Sequence, residues 1–332
     1  IRKMGFSIEV LNNIRANASS EYQARIPEAT QQNIVSVGNA LETYSLLYTE
    51  FFPALFGKIG KTLIESKLFN NKLAKFKSGS LLTQQDVEEI FIEMAKAEGK
   101  YDNKGPNPLG RRSGPEVKVV YHRMNRQDYY AITIGDLDVV RVFRSEASLD
   151  TFITGLFNSV YSGASFDEYL ATKNLLATYD GYCDYQVGQI TDEASAKEFV
   201  KTVRKASTDM TFASTELNKA GVKTWTPVGN QVLLVNKDVL AEVDVEVLAK
   251  AFNMGKTNIQ VEIVSMDDFG SLADTYGLLV DKDFFRIWDT LSKMEPQRNA
   301  QGLFTNYFYH VHQILSLSPF KNAIRFTTAT VS

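Results

Sequence analysis

At 332 residues the chain can bury a substantial core, as one large domain or as two to three smaller ones. An apolar fraction of 44% and a charged fraction of 23% argue against both a disordered chain and a membrane protein. A formal net charge of −3 argues against a dedicated nucleic-acid binder, whose affinity comes from basic surface neutralising phosphates, and the lone Cys183 can make neither an intrachain disulfide nor a multi-cysteine zinc site.

The chain opens with basic residues but no long apolar run, so no secretory signal is visible, and the most apolar stretch, 44–59, holds Glu50, Pro53 and Lys58. That is too short and too polar to span a bilayer. Residues 7–16 predict a short helix with Val10, Leu11 and Ile14 on one side, little of it committed to a core. From Leu41 the apolar positions Tyr44, Tyr48, Phe51, Phe52, Leu55 and Ile59 follow at three- and four-residue spacing, an amphipathic helix kinked at Pro53.

Residues 58–77 then carry six lysines against one acid, Glu65, and are followed by Asp86, Glu88, Glu89, Glu93 and Glu98. Such blocks are either solvated faces of opposite sign or a basic projection of one subunit meeting an acidic patch on the next. The second reading makes Lys72, Lys75 and Lys77 candidates for an intersubunit surface, with Glu88, Glu89 and Glu93 as their partners. Residues 101–116 hold three prolines and three glycines, the composition of a functional or partner-contacting loop.

Val117, Val119 and Tyr121 alternate as one strand and Tyr130, Ile132 and Ile134 as another, with 123–128 turning between them. With 63–77 they predict a projecting β-ribbon, marginal alone and in need of a neighbour to lie on. The clearest helix follows: Leu149, Phe152, Ile153, Leu156, Phe157, Val160 and Tyr161 form an unbroken stripe capped by Ser148. Gly163 is expected to interrupt it and the capping box Ser165 to Glu168 to restart it, giving a helix in series over 148–179.

Residues 182–269 alternate helix (194–206), strand (231–235), helix (245–252) and strand (259–264), the mark of an α/β unit. Residues 277–289 supply a strand pair, 295–302 a polar turn, and 303–318 an unusually long strand that would reach about 50 Å. Leu303, Tyr307, Tyr309, Val311, Leu315 and Leu317 share one face of it, and Asn306, His310, His312, Ser316 and Ser318 the other. The first face is expected to pack on the helix stripe. A short strand, 323–327, completes an α+β fold.

Chemistry is thin. Gly60-Lys61-Thr62 and Gly255-Lys256-Thr257 have Leu55 and Lys250 where a phosphate-binding loop needs its first glycine. His310 and His312 share a strand face, but no cysteine or acidic cluster completes a metal site, and no G-x-S-x-G elbow exists. No catalytic, cofactor or metal residue is therefore assigned, and the chain is read as not an enzyme.

The C-terminal third carries a likeness: residues 244–254 (DVEVLAKAFNM), 279–283 (LVDKD), Lys293-Met294-Glu295, Arg298-Asn299, Gly302-Leu303, 307–318 and Asn322-Ala323 resemble the major capsid proteins of φ29-like short-tailed phages. Residues 73–79, Glu88-Glu89-Ile90, His122-Arg123 and Asn125-Arg126-Gln127 are similar to that family's N-terminal half. The resemblance implies a Hong Kong 97-type capsid fold: an N-terminal arm (1–60), an extended loop overlying a neighbour (61–134), a peripheral domain with a long spine helix and the long strand (135–181 and 278–327), and an inserted axial domain (182–277). It implies self-assembly as pentamers and hexamers into an icosahedral head, with scaffolding and portal proteins as partners and double-stranded DNA enclosed without sequence specificity. No membrane is involved. The place is the virion capsid, assembled in the host bacterial cytoplasm. Because this chain ends at Ser332, the immunoglobulin-like domain that some relatives carry is expected to be missing. An encapsulin-like compartment, and a hydrolase or transferase using Asp267 or Asp268, are the alternatives.

Overall fold

The computed structural model describes residues 6–44, 47, 51, 54, 69–81, 86–95, 114–135, 146–243 and 261–329. In chain order the helices are α1 (Phe6–Asn17), α2 (Ser20–Arg25), α3 (Ile34–Thr43), α4 (Glu146–Thr178), α5 (Glu193–Thr211) and α6 (Lys237–Glu242). The strands are β1 (Gly79–Ser80), β2 (Val87–Ile92), β3 (Val117–His122), β4 (Arg126–Gly135), β5 (Cys183–Gln186), β6 (Gln231–Asn236), β7 (Glu262–Met266), β8 (Thr275–Asp281), β9 (Phe285–Asn299), β10 (Phe304–Leu317) and β11 (Ala323–Thr327). The two Gly-Lys-Thr triplets, the helix expected over 245–252 and most of the loop 101–116 lie outside the described residues.

The chain forms two compact units, and α4, β9 and β10 each contribute residues to both. The first takes residues Ile1–Asn71, Asn125–Leu170 and Asp289–Gln313. Its apolar core gathers Ile8, Val10, Leu11 and Ile14 of α1, Tyr22, Ile34, Val37 and Leu41, then Leu47 and Phe51, against Ile134 of β4 and Tyr307 of β10. The opening helix, read as largely uncommitted, is thus fully part of a core. Its apolar positions recur on one helical face, and they gather with residues of the next thirty-odd positions as well as with Ile134 and Tyr307 far along the chain.

β4 pairs antiparallel with β10, Tyr130 opposite Tyr309 and Gly135 opposite Phe304. This corrects the expected hairpin of 117–121 with 130–134: β3 pairs elsewhere, and β4 becomes an edge of the long-strand sheet. The long strand keeps its expected face, with Tyr307, Val311, Leu315 and Leu317 buried and Tyr309 half-buried, its ring 4.9 Å from that of Tyr161 on α4. Leu303 is not part of that face. It is 60% exposed and takes φ 51°, so it serves the β9–β10 turn, where the Gly302 amide donates to Asn299 Oδ1 at 2.8 Å. A Cβ at Gly302 would lie 2.3 Å from the Phe304 ring. The polar turn is shorter than its composition suggests, because β9 continues to Asn299.

α4 is one continuous helix of 33 residues, beginning at Glu146, before the expected cap at Ser148. Gly163 does not break it, and the expected capping box is used otherwise: Ser165 Oγ donates to the Phe69 carbonyl, and Glu168 is buried in a polar network. Glu168 accepts from Asn71 Nδ2 at 2.9 Å and Gln313 Nε2 at 2.6 Å, and Gln313 also donates to Asp289 at 2.6 Å. Arg126 donates to Gln313 Oε1 at 2.6 Å, to Tyr130 OH at 2.9 Å and to Asp128 at 2.6 Å. One glutamine on the buried face of β10 thereby joins β4, β9 and α4.

The second unit takes Lys72–Met124, Ala171–Trp288 and Ile314–Ser332. Its five-stranded sheet runs β5-β11-β8-β6-β7, with β11–β5 and β6–β7 parallel and the other pairs antiparallel. Of the elements read from the sequence, the helix over 194–206 and the strands over 231–235 and 259–264 are here as α5, β6 and β7, joined by β11, which pairs with β5 and β8. Gly277 of β8 is required by close approach: a Cβ there would sit 2.8 Å from the Leu234 carbonyl oxygen of β6. α5, capped by the Asp192–Ser195 box, buries Ala196, Phe199, Val200, Val203, Ala206 and Met210 in this unit's core. No helix among the described residues is long and apolar enough to cross a membrane.

Replacing Gln313 by leucine leaves the Arg126 guanidinium and the Glu168 carboxylate each short of a buried partner. A loss of about 3 kcal/mol of stability is expected, read from urea denaturation; a change under about 1 kcal/mol, the size of an ordinary exposed hydrogen bond, would contradict this role.

Candidate intersubunit surface

The charged residues singled out from the sequence do not form one projecting stripe. Lys72 donates to Ser265 O at 3.0 Å and Ser265 Oγ at 2.8 Å, and Lys75 pairs with Glu262, so both fold back on β7. Lys77 is half-buried and follows the 3-10 turn Ala74–Phe76, whose Phe76 ring stacks on Phe285 at 4.9 Å. From Lys72 to Lys77 the basic segment expected on the ribbon is therefore packed within the second unit. Among the acids, Glu88 is exposed and accepts from Tyr121 OH at 3.1 Å, Glu93 is half-buried, and Glu89 points inward.

What projects an unusual surface is the two-stranded sheet of β2 and β3. Its register sets Glu88 opposite Tyr121, Ile90 opposite Val119 and Ile92 opposite Val117. Because side chains alternate along a strand, all six share one face. Ile90, Ile92, Val117, Val119 and Tyr121, with Met94 just beyond, are each between 41% and 60% exposed. Scattered exposed apolar residues are ordinary, but a contiguous patch of six marks an interaction surface. β2 is masked in the sequence by its two adjacent glutamates, which belong to an acidic run; its signal lies in Val87, Ile90, Phe91 and Ile92 around them.

The opposite face holds the ribbon to its own unit. Phe91 packs on Phe320 with ring centroids 5.6 Å apart, and Lys118 Nζ donates to the Ala220 carbonyl at 3.0 Å. At the centre, Glu89 Oε1 accepts from Arg286 Nη2 at 2.6 Å, Arg286 Nε at 3.1 Å and Ser318 Oγ at 2.9 Å. Glu89 Oε2 lies 3.0 Å from His122 Nε2, which must be the donor to a carboxylate, while His122 Nδ1 meets Ser316 Oγ at 2.7 Å. Burial pushes the Glu89 carboxyl up, but the hydrogen bonds from His122 and Arg286, the Arg286 charge and Ser318 outweigh it and hold the group at about 2.

The other candidates are quieter. His310 and His312 are half-buried on the polar face of β10, their rings 6.5 Å apart, and no group of three or more metal-ligating side chains occurs among the described residues. Asp267 and Asp268 both accept from Lys173, at 3.1 and 3.0 Å, which makes them an ion-pair cluster. Cys183 is half-buried in β5, and burial, reinforced by nearby carboxylates, pushes its thiol up, away from the reactive thiolate.

Comparison with known proteins matches residues 11–327 to the family described as Phi29-like phage major capsid protein. The major capsid protein of Bacillus phage B103 is 34% identical over 329 residues, covering 97% of this chain and 73% of that one. That of Bacillus phage PZA is 33% identical over 332 residues, covering 98% and 74%. Among solved structures, the capsid of Staphylococcus phage Andhra has a chain that superposes with a TM-score of 0.64 at 13% identity, covering 79% of this chain and 85% of that one, a likeness of fold.

Since the Glu89 carboxyl is held below its ordinary 4.5, the stability it gives is full above that pH and lost as pH falls from 4.5 through about 2. Glu89→Gln should lower stability at neutral pH and flatten the acid limb of a urea-denaturation series across that window. Identical acid limbs for the two proteins would contradict the assignment.

Proposed function

We propose how this chain, which belongs to the Phi29-like phage major capsid protein family, builds a head shell: each copy lays the apolar face of its β2–β3 ribbon on the next. It is a major capsid protein of tailed phages with a mixed α+β capsid fold, and its work is geometric. In this reading the shell is icosahedral, its rings are pentamers and hexamers, and it encloses double-stranded DNA without reading sequence. Scaffolding and portal proteins complete the assembly in the host cytoplasm, and the chain carries no catalytic activity. The N-terminal arm, extended loop, peripheral and axial divisions inferred from the family serve as the working map.

The single observation that carries the mechanism is the exposed six-residue apolar face on a ribbon whose other face is fixed to its own unit. Half-exposed side chains of this size yield about 1 kcal/mol each on complete burial. Six of them roughly match the lower end of the cost of bringing two proteins together, about 4–15 kcal/mol. A lone pair of copies is then marginal, whereas a closed ring or shell, in which each copy both gives and receives a ribbon, is stable. The charged candidates Lys72, Lys75, Lys77, Glu88, Glu89 and Glu93 divide accordingly, some holding the ribbon's surroundings together and others aligning the contact.

Ile90→Asp combined with Val119→Asp, an exposed cross-strand pair, should leave a folded soluble protein and abolish shells. Circular dichroism checks the fold, and electron microscopy with sedimentation checks assembly. Particles in normal yield would sink this mechanism.

A further inference from the structure

Beside the ribbon's anchor the second unit holds an open polar cavity of about 570 Å³, lined by Lys75, Lys77, Lys282 and Arg286 together with Glu262 and Asp283. Lys75 and Lys282 share Glu262, the latter at 3.9 Å; Asp283 lies 3.6 Å from Lys321; Arg286 binds Glu89. Leaving Lys77 aside and counting those outer partners, four cations face three carboxylates, because Lys75 and Lys282 have one carboxylate between them. The floor is the buried stacked pair Phe76 and Phe285, so an anion entering here leaves bulk water and meets its cations in a medium that screens them weakly.

Glu88 presents the complementary problem. It lies on the same outward face as Ile90 and Ile92, at the end of the apolar patch, with Tyr121 OH as its hydrogen-bond partner. Burying that patch strips water from the Glu88 carboxylate, and a carboxylate buried without a cation is costly. The surface that receives the ribbon must therefore offer positive charge. It cannot be the cavity of the same chain: Arg286 reaches Glu89 on the inner face, and strand alternation turns Glu88 away from it.

We propose that Glu88 of one copy docks in the Lys75–Lys77–Lys282–Arg286 cavity of the next, steering the apolar ribbon face into register. The inference rests on the shell-building reading above. Ribbon face and cavity are different surfaces, so the contact is head-to-tail, the kind from which rings are built, and does not stop at a symmetric pair. An acidic side chain suits the cavity better than a DNA duplex, since Glu262 and Asp283 inside it would repel a row of phosphates but leave room for one carboxylate.

The test uses particles formed by the full chain in cells. Paired Glu88→Cys and Lys282→Cys substitutions, bridged by a short bis-maleimide whose spacer replaces the lost reach of the two side chains, should give a gel ladder reaching pentamers and hexamers, which neither single substitution gives. Particles without a ladder, or with dimers alone, overturn the contact while leaving the shell reading intact; no particles from the unsubstituted chain would bring down that reading and this one with it. As a second measure, Glu88→Lys and Lys282→Glu should each cut particle yield about tenfold or more, and the double reversal should restore it to within about threefold. A double variant no better than the singles overturns the proposal. So does duplex DNA binding by the unassembled chain that Lys282→Glu abolishes, which would assign the cavity to nucleic acid.

Discussion

The alternation of side chains along β2 is the constraint on which the functional surface depends. Two glutamates stand next to each other, and the strand's period of two sends them to opposite fates: Glu89 into a cluster with Arg286, His122 and Ser318, Glu88 outward beside Ile90 and Ile92. A slip of one residue would exchange every side chain between faces. It would put Ile90 where Arg286 and His122 need a carboxylate, and expose the Phe91 ring now packed on Phe320. The buried charge thus acts as a register pin. Its net contribution to stability is modest after desolvation, but the register that brings Ile90 to its place is costly, because an uncompensated arginine would remain.

The first unit uses the same device with different groups. Gln313 sits on the otherwise apolar face of β10, and its amide satisfies Arg126 on one side and the Glu168 and Asp289 carboxylates on the other. An aliphatic residue would pack there as well on volume alone, yet it could not specify which β4 and α4 residues come alongside. Both units therefore place one fully satisfied polar network where long elements must be held in a single register, and leave the bulk of the burial energy to apolar residues such as Tyr307 and Phe285.

Periodicity made the faces legible and left the partners hidden. The long strand, its buried face, the long helix, α5, β6 and β7 are all legible in the sequence, because a side chain's direction is set within a few residues of itself. Which strand lies beside which is decided across 100 or more residues, as in the pairing of Tyr130 with Tyr309, and adjacency misled: β3 and β4 follow each other closely and yet belong to different sheets. Local propensity also yielded to tertiary contacts at Gly163, inside an unbroken helix, and at Ser165 and Glu168, whose capping pattern was overridden once Gln313 and Asn71 offered Glu168 better partners. Of the candidate site, the charges were visible but not their allocation. Lys72 and Lys75 read as a free basic stripe because Ser265 and Glu262, which engage them, lie nearly two hundred residues away.

Charge and apolar surface divide the work by range and strength. Exposed ion pairs contribute about 0–1 kcal/mol and are screened by salt, so the lysines and glutamates at the sequence surface could not by themselves hold a shell together. Apolar burial supplies the energy but is indifferent to direction, and a flat patch of Ile, Val and Tyr would accept several sliding alignments. A single carboxylate at the end of that patch removes the indifference: every alignment that buries Glu88 away from a cation is penalised, while the one that brings it to a cationic cavity is not. A subunit that must repeat one contact to build a capsid shell needs this combination, strong enough in sum to close and specific enough at one point to close in only one way.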